Sequence, residues 1–222
     1  MDILSQILSN NSELTPNMQM FLLMTALMFL PTIIFMMTCF VRIIITFSFV
    51  KSALGAQQSI PNQILVGLAL CITIFIMSPV VDKITKNSIE PYINEEITME
   101  EAYIELKKPV IDFLLKQTRE VDLELFAKNS SIDVTNLEEE ELPLSIVVPA
   151  FAISELKTAF QIGFIIYIPF LVIDLIVSST LMSMGMFMLP PAMISLPFKL
   201  LLFVMVDGWN LLVKSLIESF TA

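Results

Sequence analysis

The chain has 222 residues, 56% of them hydrophobic and 15% charged, with a formal net charge of −10 and no histidine. So acidic a balance excludes binding to nucleic-acid phosphates, which needs a basic surface, and the missing imidazole removes the commonest general base and transition-metal ligand. A mean hydropathy of +0.82, concentrated in long uncharged runs, excludes an ordinary soluble domain.

Residues 1–17, MDILSQILSNNSELTPN, carry no basic region and no small-residue cleavage site before the apolar run, so they do not read as a standard signal peptide. Met18–Val50 is the first helix candidate, with Pro31 in mid-run. A helix of that length measures roughly 50 Å, more than a bilayer core, so a kink at Pro31 is expected. Arg42, near its end, snorkels to an interface, lines a passage or pairs with an acid. Lys51, Gly55 and Pro61 mark a turn, and Ile60–Val81 runs back to end at Pro79 and Asp82. Residues 18–81 therefore read as one hydrophobic helical hairpin. The Arg42/Lys51 turn favours the cytoplasmic side, which leaves both hairpin ends outside, although Lys83 and Lys86 weigh the other way. Cys39 and Cys71 lie within apolar runs and read as buried free thiols, with neither a disulfide nor a metal site indicated.

The acidity is local. Residues 82–141 hold sixteen of the 22 acidic and seven of the 12 basic side chains, and so nine of the ten net negative charges. Thr98 and Glu101 have the spacing of a capping box. Pro109 fits the first turn of a second helix, with Val110, Phe113, Leu114, Gln117, Val121 and Leu125 as its stripe. Glu138–Glu141 lacks the spacing and turn glycine of a calcium loop and reads as a solvated charge run. Residues 82–143 are expected to form a small helical extracytoplasmic region.

Residues 144–222 form the second hydrophobic block. Pro143 and Pro149 precede its first helix, which enters through SELKTAFQIGF. Glu155 and Lys157, two apart, lie on different helix faces and do not pair with each other. Each looks elsewhere for a partner, another subunit being the expected place. Between Thr158 and Lys214 the only charges are Asp174, Lys199 and Asp207. Bare charges in hydrocarbon cost several kcal/mol, so Asp174 and Lys199 are expected to pair, across a hairpin bend or between neighbouring subunits. A proton relay is the rival role, but a single acid without histidine or nearby acids makes a poor chain. Asp207-Gly208-Trp209 reads as a polar helix end beside an interfacial tryptophan.

Met182, Met184, Met186 and Met188 recur at every second position, all round a helix rather than on one face. Pro190, Pro191 and Pro197 then interrupt the helical bonding. One reading is a kinked buried helix whose methionines fill gaps. The other is a helix–break–helix hairpin whose tip projects soft side chains into a pore.

The run MGMFMLPPAMISLPFKLLLFVMVDGWNLL, preceded by SELKTAFQIGFIIYIPFLVIDLIVSSTLMSMGM, resembles the FliP/SctR family, and its flagellar branch most closely, over Ser154–Leu212. The acidic middle carries no matching motif. Family members commonly carry a cleavable signal peptide. Either one has been removed ahead of Met1 or the first long segment serves as its own insertion signal. With the residue patterns, the resemblance implies an all-α fold of membrane-associated broken helical hairpins with the small extracytoplasmic region. It implies a core subunit of the type III protein export gate in the bacterial inner membrane, at the flagellar basal body. The subunit would be no enzyme, with no cofactor and no metal. It would form a homo-oligomeric, pentameric ring with FliQ-like and FliR-like subunits and other export-apparatus membrane proteins, and pass unfolded substrates. Energy would come from an ATPase and the proton-motive force. Met186, Phe187 and Met188 stand where the family has its pore gasket, Phe187 replacing a more usual methionine. Arg42, Glu155, Lys157, Asp174, Lys199 and Asp207 are the candidates for assembly through intramembrane charge. An ion- or proton-coupled secondary transporter would also have broken helices and midplane charges. It predicts internal symmetry, and the first half has no counterpart of PPAMISLPFK.

Overall fold

The computed structural model describes residues 16–57, 59–130 and 142–221. Residues 1–15, nearly all of the N-terminal segment, and the Glu138–Glu141 run lie outside the described residues. The described residues are helical, with no strand among them. They divide into two units, residues 1–35 and 36–222.

The described part of the first unit is α1 (Pro16–Met36) up to its last residue, apolar over most of its length and exposed at most described positions. The helix passes through Pro31, where the kink was expected, and ends five residues later. After it, the Thr38 hydroxyl accepts the Phe40 N–H at 3.4 Å, a local bond that competes with helical pairing and favours the break there.

In the second unit, α2 (Phe40–Ala53) is the central element. Ile43, Phe47, Val50 and Ala53 repeat at helical spacing and are essentially inaccessible. They pack on Leu65, Ala69, Ile72 and Ile76 of α3 (Asn62–Ile84), Phe170 of α6 (Leu144–Ser183), Phe203 of α7 (Pro191–Met205) and Leu212 and Leu216 of α8 (Gly208–Thr221). Contact between α2 and α6 is close enough that a Cβ on Gly163 would lie 2.5 Å from the Phe49 ring. The turn after α2 is a Schellman motif: Gly55 sits at φ 72°, its N–H bonds the Ser52 carbonyl, and the Ala56 N–H reaches Lys51.

Two expected helix ends are displaced. α3 does not stop at Pro79 and Asp82 but continues through a π-helical turn, Thr85–Ile89, and a last turn, Glu90–Ile93. Pro79 deprives the Phe75 carbonyl of its helical donor, and the Ser78 hydroxyl replaces it at 3.0 Å. Pro109 does not open a second helix. It lies buried in the interior of α4 (Met99–Gln117), and the break comes at Thr118–Arg119, before α5 (Glu120–Asn129). Val121 and Leu125 consequently leave the expected stripe and are 71% and 52% exposed on α5. The capping box is formed: the Glu101 N–H donates to Thr98 Oγ1 at 3.3 Å, and the Thr98 N–H to Glu101 Oε2 at 2.8 Å.

The forty-residue α6 starts before Pro149, which lies inside it together with Pro169. Leu114, Leu142, Val147 and Phe151 form a second apolar cluster around its start. α7 and α8 are bent by 61° about Val206–Asp207, with Asp207 in the left-handed region at φ 51°. Gly208 follows because a Cβ there would lie 2.4 Å from the Phe203 ring. The helix Asn62–Ile93 and α6 are long and apolar enough to cross a membrane. α2, α7 and α8, at 14 or 15 residues, span roughly 21–23 Å each, short of the ~30 Å hydrocarbon core. Cys71, expected to be buried, is exposed on α3, while Cys39 is buried.

Candidate functional site

The methionine-rich segment forms the tip of a hairpin between α6 and α7. α6 ends in a second Schellman motif. Gly185 adopts φ 74°, its N–H bonds the Met182 carbonyl, and the Met186 N–H bonds Leu181. This satisfies the last carbonyls of α6 and turns the chain away from the helix. Met186, Phe187 and Met188 lie in the following loop, and α7 begins only at Pro191, a residue preorganised for a first helical turn. Met188 is 98% exposed and Phe187 79%, against 43% for Met186. The side chains at the apex are thus held out by backbone bonds and pack little against their own chain.

Behind the tip, Asp174 of α6 and Lys199 of α7 meet within the chain. Lys199 Nζ lies 2.5 Å from Asp174 Oδ2 and donates to the Ala53 carbonyl at 3.0 Å, so it also satisfies the end of α2. Ser195 Oγ donates to Asp174 Oδ1 at 2.6 Å. Lys199 and Ser195 are buried, and Asp174 is partly exposed. Ser195 and Lys199 are four apart on one face of α7, a spacing readable in advance. That Asp174 faces them was not.

A second polar node lies toward the other end of α2. Arg42, buried, forms a two-pronged ion pair with Glu155, its Nε donating to Oε2 at 3.0 Å and Nη2 to Oε1. Nη2 also donates to Gln117 Oε1 at 3.0 Å, and Nη1 to Ser219 Oγ at 3.0 Å and the Ser219 carbonyl at 3.3 Å. The guanidinium carbon stands 3.8 Å from the Phe220 ring centre. One side chain therefore ties α2, α4, α6 and α8. Glu155, expected to look to another subunit, is satisfied by its own chain. Arg42 and Lys51 do not form a single basic turn, because nine residues of α2, roughly 14 Å, separate them. Lys51 donates instead to Asn62 Oδ1 at 2.7 Å.

Adjacent to Glu155, Ser154 anchors α5. Its hydroxyl donates to Asp122 Oδ2 at 2.6 Å and accepts the Arg119 N–H at 3.1 Å, while the Arg119 guanidinium grips Asp122. Burial pushes the Asp122 carboxyl up. The Ser154 hydroxyl and Arg119, helped by the charge of Lys157, outweigh that and hold it below the usual carboxylate range. Lys157 itself is exposed, on a different face from Glu155. Sequence reasoning missed Gln117, Asp122, Ser154, Ser195 and Ser219. A lone polar residue carries no periodic signal, and the hints were the adjacency of Ser154 to Glu155 and the four-residue spacing of Ser195 and Lys199.

Asp207 is exposed at the α7–α8 bend, where its carbonyl accepts the Leu211 N–H at 3.1 Å. Trp209 is half-buried edge-on to Phe47 and Phe203, at centroid distances of 6.1 and 5.3 Å. Alongside α8 runs an apolar groove of about 400 Å³ lined by Val50, Ile162, Ile166, Phe203, Leu212 and Leu216.

Residues 23–216 match the model of the FliP family. The flagellar biosynthetic protein FliP of Bacillus subtilis (strain 168) is 51% identical over 212 residues, 96% of this chain and 96% of that protein. The FliP proteins of Pectobacterium carotovorum and Aquifex aeolicus (strain VF5) are 49% identical over 219 residues and 45% over 209. These alignments cover 98% and 94% of this chain, and 84% and 87% of the relatives.

Proposed function

Because the chain belongs to the FliP family, we propose that it is a core subunit of the flagellar type III protein export gate. In this reading copies of the chain form a pentameric ring, with FliQ-like and FliR-like helical subunits, around a conduit for unfolded substrates in the bacterial inner membrane. Residues 82–143 stand on the extracytoplasmic side.

The observation that carries the reading is the hairpin tip. Apolar side chains exposed at an apex need cover, and ringed copies supply it by bringing Met186, Phe187 and Met188 of each chain to one constriction. Thioether chains have three rotatable bonds and part for polypeptides of varied side-chain size. With nothing between them they close to an apolar neck that water leaves and ions do not cheaply cross. Phe187 stiffens that seal. The short helices α2, α7 and α8 support the same reading, since they are poor lipid-spanning elements singly and need neighbouring protein to cover them. Arg42, Glu155, Asp174 and Lys199 give each protomer the rigid interior that presents its tip. Lys157 and Asp207, both exposed, are the charges left for contacts between subunits.

Replacing Met186, Phe187 and Met188 together by glycine tests the gasket: cells should leak small ions while still exporting substrate. Unchanged ion permeability removes the sealing role.

A further inference from the structure

We propose that α6 of one copy packs against α8 of the next through a matched row of contacts: Lys157 to Glu218, Gln161 to Lys214, and Phe164 into the cleft beside Trp209. The proposal rests on the ring of the gate reading and names the two faces that close it.

The register comes from the Arg42 node. Arg42 bonds both Glu155 and Ser219, so these two residues stand at one level, Glu155 toward the start of α6 and Ser219 at the end of α8. The two helices run in opposite directions, since Gly208 at the start of α8 lines the same groove as Ile166 of α6. Counted away from the node, Lys157 is two residues along α6 and Glu218 one residue along α8, roughly 3 Å and 1.5 Å. Gln161 and Lys214 each follow four residues later, about one turn further on. Phe164 of α6 and Asn210 of α8, next to Trp209, are both nine residues from the node. The two rows therefore match rung for rung.

They lie on different flanks of the protomer. Lys157, Gln161 and Phe164 are exposed, on the side of α6 opposite the buried Glu155, Ala159 and Gly163. Asn210, Lys214 and Glu218 border an open cleft of about 690 Å³, walled by Leu68 of α3, on the side of α8 turned away from the groove. One chain cannot bring these faces together, but a head-to-tail ring can. For helices running along the ring axis, the rotation between copies changes no residue's level, so matched rows meet in register. The chemistry is complementary at each rung. The Lys157 ammonium faces the Glu218 carboxylate, which lies 3.8 Å from Lys214 on its own helix. The Gln161 carbonyl oxygen accepts from Lys214 Nζ. Phe164, 68% exposed, enters between Leu68, Trp209 and Val213, where an aromatic anchor contributes most. Exposed charges on otherwise apolar helices gain partners in the same step.

The test uses the intact complex purified from membranes. Lys157→Cys combined with Glu218→Cys should, on mild oxidation, join copies into a series of covalent oligomers on non-reducing gels. Neither single substitution should exceed the parent, whose Cys71 is also exposed. Lys157→Glu and Glu218→Lys should each lower the yield of assembled complex several-fold, and the two together should restore it. An effect of Lys157→Glu within its own chain, through Asp122, would not be restored by Glu218→Lys. Three outcomes overturn the proposal: no covalent series, a link to a partner chain in place of one between copies, or a double variant no better than the weaker single. If the gate reading itself is wrong, native mass finds the parent as a monomer or simple dimer. If only this inference is wrong, the parent forms its ring while the covalent series and the restoration are missing.

Discussion

At the scale of single residues, the charges separate into those that organise the interior of the chain and those on its surface. Glu155 is inaccessible and, among the described residues, its charged partner is Arg42. Glu155→Ala leaves the guanidinium buried without its counter-charge and should destabilise the protein by about 3–5 kcal/mol. Replacing Arg42 and Glu155 together by leucine should cost much less, because no uncompensated charge remains. Thermal denaturation in detergent separates the two, and equal losses would refute the pairing argument. Asp122 adds a pH dependence. Its folded carboxyl titrates below its unfolded value, so its contribution is fully present above the ordinary carboxylate range. It is lost as pH falls through that range toward the lowered folded value. Asp122→Asn should therefore lower the melting temperature at pH 7 and flatten its decline below about pH 4. A variant whose acid limb matches the parent's would rule this out.

At the scale of elements, helix ends account for most of the architecture. Schellman turns close the helices at Gly55 and Gly185, and the same bonding follows Glu90–Ile93: the Glu95 N–H bonds the Tyr92 carbonyl and the Glu96 N–H bonds Pro91. There the left-handed position is filled by Glu95 at φ 61° rather than by glycine. The side chain is exposed. Glu95→Gly should thus stabilise the protein by up to about 1 kcal/mol, relieving the Cβ clash. A melting temperature unchanged or lowered would mean that the local strain is absent.

At the scale of the molecule, the second unit combines a polar interior with an extensive apolar exterior. The exposed apolar residues of α3, α6 and α7 lie on helices whose buried faces are already committed within the unit, α3 and α6 to α2 and α7 to α6 and α8. Lipid or further protein has to cover them. The gate reading predicts that native mass measurement finds several copies of this chain with smaller helical partners. A monomer or simple dimer would favour the transporter reading.

The sequence by itself determined the helical class, the long apolar runs, the capping box at Thr98 and the interruption at the Met-rich tip. Each is a local or periodic property, fixed by hydropathy, glycine placement and the absence of backbone donors at proline. It also placed the chain in its family through Ser154–Leu212, since unusual apolar strings with embedded charges leave little room for coincidence. What it did not determine is where a proline ends a helix. Pro79 is tolerated because Ser78 replaces the lost donor, and Pro109 is buried inside a continuous helix. Only the tertiary structure decided the partners of the charges. Arg42 and Glu155 lie 113 residues apart and Asp174 and Lys199 25 apart. Ion pairing is selected by proximity in the packed fold, and no short-range pattern encodes which distant helix faces meet.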